Sequence, residues 1–186
     1  MEILGATRDD AAGECFDKVA RVLGIGYPGG APMDRLSRTG DAGRYAFPRV
    51  QVHDAPLDMS FSGLKTAAIN LIHNARQKEE ALDLPSLAAS FSAAVSDMLV
   101  PRVMEAARRC GRRKVAVAGG VADNSRIRAD LEAACAAAGC RLYLPPLSLC
   151  GDNGAMIGCQ AYYEYLAGHT ADMALNAYAN RDIAKG

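Results

Sequence analysis

Asp10, Glu14 and Asp17 recur at i, i+4 and i+7 within DDAAGECFDKVARVLGIGYPGG, residues 9–30, so a helix places them in one row. Directly after that helix comes the turn GIGYPGG, where backbone can approach a ligand with no side chain between them. Acids beside bare backbone suit the hydroxyls of a ribose. The plainer reading is a solvated face on which Lys18 and Arg21 neutralise the acids from the next turn.

Two later segments offer further polar groups at junctions of strand and helix. In KVAVAGGVADNSRIRADLEAACAAAG, residues 114–139, an apolar run breaks at Gly119 and Gly120 and resumes as a helix with Ile127, Leu131 and Ala134 on its apolar side. A glycine pair there makes a sharp turn and leaves helix N-terminal amides facing a crevice that a phosphate or an adenosine could occupy. Asn124 at the helix start could equally be its cap. The spacings GxGxxG and GxxxxGK[ST] are both absent. In RLYLPPLSLCGDNGAMIGCQAYYEYLAG, residues 141–168, Asp152 precedes another helix, where it either caps that helix or holds a metal ion or phosphate.

The elements that would position these groups follow from apolar spacing. Ala12, Cys15, Phe16, Val19, Val22 and Leu23 form the core stripe of the first helix. Residues 31–56, rich in Gly, Arg, Asp and Pro, read as an exposed loop with a helical turn at Met33 to Ser37. Two helices then follow. The first has Ser60 or Ser62 as its cap and Leu64, Ala68, Leu71 and Ile72 as its stripe; the second has Leu87, Phe91, Val95 and Met98, with Pro101 expected to kink or divide it.

At 186 residues, half of them apolar, the chain can bury a substantial core in one domain. A formal net charge of zero argues against gripping nucleic acid by bulk charge. The local basic run of Arg108, Arg109, Arg112, Arg113 and Lys114 sits at a helix end, where it complements the helix dipole or contacts a phosphate backbone. Six cysteines include no CxxC pair and read as small buried hydrophobes rather than disulfides or a zinc site. The longest apolar stretches are broken by charge or glycine, so no membrane span is expected and the location reads as cytoplasmic.

The blocks DDAAGECFDKVARVLGIGYPGG, DMSFSGLKTA, VAGGVADNSRIR and CGDNGAMIG occur in this order over nearly the whole chain. Together they resemble the catalytic subunit of the tRNA threonylcarbamoyladenosine synthesis machinery, a family once labelled O-sialoglycoprotein endopeptidase. The resemblance implies an α/β fold, the C-terminal lobe of an actin-like or HSP70-like ATPase (RNase H-like) architecture. Residues 1–186 would be that single lobe, lacking its first strands, with a helical insertion over 57–112. MEILGAT would be the last strand of a sheet whose preceding hairpin is absent, and Met1 a start added at a truncation or a mispredicted gene start.

The implied reaction moves a threonylcarbamoyl group from its mixed anhydride with AMP to N6 of the adenosine beside the tRNA anticodon. Its implied partners are tRNA, an actin-like paralogue subunit and a small ATPase subunit, with self-association as a homodimer expected of an isolated lobe. By resemblance, Asp152 is the catalytic and metal-binding aspartate of a site holding one divalent metal, iron or zinc. Asp17 is the ribose-binding acid, Gly30 and Asn124 contact the adenylate, Asp34 is a further acid near the ribose, and Gly119 and Gly120 form the adenosine floor. The HxxxH metal pair is absent from this chain, whose histidines are His53, His73 and His169, so the lobe alone is expected to lack a complete metal site and to be inactive. Gly151, Ala31 and Asp123 depart from the threonine, proline and small residue usual in the family. Two other readings are a non-catalytic actin-like scaffold, which the intact Asp17, Asn124 and Asp152 disfavour, and a metalloprotease, which would need a zinc pair such as HExxH.

Overall fold

The computed structural model describes residues 2–177; Met1 and residues 178–186 lie outside it. Its elements are α1 (Ala12–Leu23), α2 (Gly30–Ser37), α3 (Ser62–Gln77), α4 (Leu84–Arg109), β1 (Lys114–Ala116), α5 (Ser125–Ala137), β2 (Arg141–Tyr143) and α6 (Gly154–Leu166). The fold is α/β, with helices around a small parallel sheet. β1 pairs with β2 in the register Lys114 to Arg141, Val115 to Leu142 and Ala116 to Tyr143, and α5 is the crossover between them. A 3-10 turn over Gly120–Asp123 links β1 to α5.

α4 organises the interior by packing on α2 and α5, while α1 packs on α3 and α2. Its stripe Leu87, Phe91, Val95 and Met98 is buried, meeting Cys15, Phe16 and Val19 of α1 and Leu64, Ala68 and Ile72 of α3 in one core. Phe91 lies at its centre, edge to face with Phe16 at 5.2 Å and with Phe47 at 5.8 Å.

Several expectations are corrected. Of the two outcomes expected at Pro101, kinking or dividing the helix, division does not occur: α4 runs through it to Arg109. Arg102 holds that stretch, its guanidinium donating to the carbonyls of Met98, Asp58 and Val50. By length and composition α4 is apolar enough to cross a membrane, contrary to the reading above, but most of that window is buried in the protein. The segment over residues 31–56 is not an exposed loop throughout, because α2 occupies its start and Met33, Asp34 and Phe47 are buried. MEILGAT forms no regular strand over its described residues. It makes one parallel bridge, Thr7 to Met59, and the partner chain leaves for α3 at Ser62 before a ladder can extend.

Neither Ser60 nor Ser62 caps α3. The acceptor is Asp9, whose Oδ1 takes the amides of Phe61 at 2.8 Å and Ser62 at 3.1 Å, while both serine hydroxyls donate to its Oδ2. Partial burial alone would raise the Asp9 pKa, but these bonds outweigh it and hold the group at about 2. A carboxylate depressed below its ordinary value of about 4 stabilises the fold above that pH and loses its contribution as pH falls through the folded value. The melting temperature should therefore fall between about pH 4 and pH 2, and Asp9→Asn should remove part of that slope while lowering stability at pH 7. Circular dichroism melts of both chains give the difference curve; parallel curves would refute the cap.

The cysteines divide evenly. Cys15, Cys135 and Cys150 are buried, Cys110 and Cys159 are exposed, Cys140 is intermediate, and all are free thiols. Burial pushes the Cys15 thiol up to about 12, so it behaves as an inert hydrophobe. In the basic run, Arg108 and Arg109 both pair with Glu105, which leaves Arg112, Arg113 and Lys114 as its exposed end. α6 differs from the other helices: Ile157, Tyr162, Tyr163, Tyr165 and Leu166 are all exposed, and no residue of the helix is buried.

Candidate functional site

A cavity of about 410 Å³ opens where the start of α1, the N-terminus of α2 and the 3-10 turn before α5 converge. Asp17, Gly30, Asp34, Gly120 and Asn124 all line it, although they come from three separate stretches of sequence. Gly119 does not line the cavity but makes it possible. Its φ of 92° and ψ of 170° are open essentially only to glycine, and they turn the chain from β1 into the cavity wall.

The acid row of α1 separates into two kinds of residue. Lys18 pairs with Asp10 at 2.8 Å and with Glu14 at 2.7 Å, and Lys65 also pairs with Asp10, so these two acids are neutralised as the plainer reading held. Arg21 plays no part in that, lying over the Tyr27 ring at 5.6 Å. Asp17 stands apart: its Oδ1 accepts the Gly29 amide at 2.6 Å, and its Oδ2 has no partner among the described residues. That bond joins α1 to the start of α2 and leaves one carboxylate oxygen beside the cavity.

Gly29, which the spacing analysis passed over, is the glycine the packing requires. A Cβ there would stand 2.2 Å from the Ala20 Cβ and 3.1 Å from the Phe16 carbonyl oxygen. A Cβ on Gly30 would meet nothing within 4 Å. Gly30 is bare toward open space, as a position approached by a ligand would be. The small Ala20 one turn before the end of α1 was the available sign that a backbone passes close by.

Asn124 is both cap and wall. Its Oδ1 accepts the Ile127 amide at 3.1 Å, while its Nδ2 has no partner among the described residues. Asp34 is committed within the protein. Oδ1 accepts the amide of Ser125 at 2.7 Å and its hydroxyl at 2.6 Å, and Oδ2 accepts Nε of Arg38 at 3.2 Å and Nη2 at 2.7 Å. A carboxylate offers about four lone-pair sites, so a ribose finds none free on Asp34. Burial works to raise the Asp34 pKa, but the Ser125 and Arg38 bonds prevail and it lies below the ordinary value. The expectation of open helix amides facing the crevice is narrowed with it, since the Ser125 and Ile127 amides of α5 already donate to Asp34 and Asn124.

Asp152 lies outside this cavity, exposed on the turn before α6. It is not the cap of α6 either: Asn153 is, accepting the Met156 amide at 2.9 Å. Among the described residues no group of three or more His, Cys, Asp or Glu side chains could hold a metal ion. One exposed carboxylate does not fit a divalent metal, which takes several ligands in fixed geometry.

Comparison with known proteins agrees with the four sequence blocks. A family model described as TsaD: tRNA N6-adenosine threonylcarbamoyltransferase matches residues 1–159. The protein of that name from Moorella thermoacetica is 51% identical over 175 residues, covering 94% of this chain and 51% of that protein. Those from Clostridium botulinum (strain 657 / Type Ba4) and Staphylococcus saprophyticus are 46% and 48% identical, covering 100% and 98% of this chain and 54% and 53% of theirs. The chain thus spans about half the length of the relatives it matches. Among solved structures, the crystal structure of T.kodakarensis HypF superposes with a TM-score of 0.60 over 86% of this chain and 20% of that chain, at 22% identity, which is a likeness of fold. With the family model matched along most of its length, the chain belongs to the tRNA N6-adenosine threonylcarbamoyltransferase family.

Proposed function

We propose that the chain carries the adenosine-binding half of an enzyme that transfers a threonylcarbamoyl group from threonylcarbamoyl-AMP to N6 of the adenosine beside the anticodon of tRNA. The carrying observation is the single cavity that gathers Asp17, Gly30, Gly120 and Asn124. The role of each follows from what it leaves free. Asp17 Oδ2 accepts a ribose hydroxyl, Asn124 Nδ2 donates to the nucleoside, and Gly30 with the Gly119–Gly120 turn lets the ligand rest against backbone. Asp34 enters as the residue that holds α5 in place rather than as a ribose ligand. These residues bind and orient an acceptor or donor nucleoside, a contribution to rate through positioning.

The finer architecture belongs to the same proposal: a single lobe of actin-like or HSP70-like ATPase (RNase H-like) type, with residues 57–112 as its helical insertion. In the whole enzyme the partners are tRNA, an actin-like paralogue and a small ATPase subunit, in the cytoplasm. A divalent metal, iron or zinc, belongs to that whole enzyme, since among the described residues Asp152 has no further ligands grouped with it. The exposed apolar residues of α6 support self-association of this chain as a homodimer.

Calorimetric titration with adenosine tests the site. Binding is expected to be weak, with a Kd of about 0.1–1 mM; Asp17→Ala should weaken it about tenfold, and Glu14→Ala should leave it within about twofold. No binding at millimolar adenosine, or indifference to Asp17→Ala, would refute the reading.

A further inference from the structure

We infer that Asp123 makes this cavity select an uncharged nucleoside over a nucleotide monophosphate, an inference that rests on the adenosine reading of the same cavity. The ionisable side chains lining it are Asp17, Asp34 and Asp123; no lysine, arginine or histidine stands among them. Asp34 is fully engaged by Ser125 and Arg38, and Asp17 accepts the Gly29 amide. Asp123 is half-buried at the end of the 3-10 turn. Its carboxylate has no hydrogen-bond or ion-pair partner among the described residues, so none of them offsets its charge.

The helix N-terminal amides where an anion ordinarily settles are partly occupied. A helix N-terminus receives a phosphate through its free first-turn amides. At α5, Ser125 donates to Asp34 at 2.7 Å and Ile127 to Asn124 at 3.1 Å. At α2, Gly29 donates to Asp17 at 2.6 Å and Pro32 has no N–H to offer, which leaves the amides of Gly30 and Ala31. The arginines nearest in sequence turn elsewhere: Arg126 pairs with Asp130 at 2.6 Å, and Arg128 donates to the Ala122 and Pro145 carbonyls. A phosphate brought beside Asp123 therefore meets an uncompensated like charge in a partly desolvated space, where such repulsion is stronger than in water. Adenosine meets none. The phosphate of an adenylate must then be drawn out of this cavity by groups that this half does not supply.

The test is calorimetric titration of the full chain with adenosine and with AMP, in wild type, Asp123→Asn and Asp123→Ser, each checked for folding by circular dichroism. In about 0.05 M salt the wild type should bind adenosine about tenfold more tightly than AMP. Either substitution should bring the two affinities within about twofold, chiefly by a gain for AMP, and about 1 M salt, where charges are screened beyond roughly 3 Å, should narrow the wild-type gap in the same way. Adenosine binding that depends on Asp17, with an AMP ratio unmoved by both substitutions and by salt, would overturn this inference while leaving the site reading intact. Absence of adenosine binding to the wild type would overturn the site reading and the inference with it.

Discussion

Gly29→Ala is expected to lower folding stability by about 3 kcal/mol and to abolish adenosine binding in the same chain. The added methyl has nowhere to go. On one side it meets the Ala20 Cβ at 2.2 Å, on the other the Asp17 Cα at 3.0 Å, and both belong to α1, which is pinned in the core by Phe16 and Val19. Relief requires the start of α2 to move away from α1. That motion breaks the Gly29 to Asp17 bond, freeing a carboxylate that lines the cavity, and it shifts Gly30 and Asp34 with it. Gly30→Ala is the matched control, since its Cβ points into open space: it should melt within a few degrees of wild type yet bind adenosine poorly. Urea unfolding and calorimetry on the two variants distinguish a packing glycine from a ligand-facing one. If Gly29→Ala unfolds and binds like wild type, the close approach of α2 to α1 is wrong.

Phe91→Ala should cost about 3–5 kcal/mol, a fall of roughly 10 °C in melting temperature for a chain of this size. The ring is fully buried and touches two other aromatic rings edge to face, Phe16 on α1 and Phe47 on the segment after α2. Its removal leaves a void among three parts of the chain, none of which can collapse without dragging a helix. Phe16 also lines the cavity, so the same variant should weaken adenosine binding even where it remains folded. Phe91→Leu, which keeps most of the volume, should recover over half of the lost stability. A urea midpoint unchanged in Phe91→Ala would show that the core is not organised around this ring.

What could be read from sequence was whatever depended on local spacing. The stripes of α1 and α4 are apolar because one face is buried, and their periodicity shows this without knowledge of the partner. The glycine pair before α5 and the asparagine that follows it were legible for the same reason, being a turn and a cap written in adjacent residues. Long-range pairings left no comparable trace. Nothing near Ser62 indicates that an aspartate from the far end of the preceding segment caps its helix, so local spacing points to the adjacent serines instead. Asp34 is expected near the ribose only through the family resemblance, and the placement of Ser125 and Arg38 shows that its lone pairs are filled. Asp152 and Asn153 are both good caps by composition; the backbone decides for the second.

The Asp9 contact also ties the start of one helix to a distant part of the chain. A helix ordinarily forms its first turn from neighbours, but α3 takes the acceptor for its leading amides from a residue 52 positions earlier. That contact closes a loop that holds α1 and α2, and it replaces water as the acceptor for the amides of Phe61 and Ser62. The leading turn of α3 is thus held by a distant segment: in the folded protein its firmness depends on the stretch around Asp9 staying docked, whatever the intrinsic helicity of its own sequence.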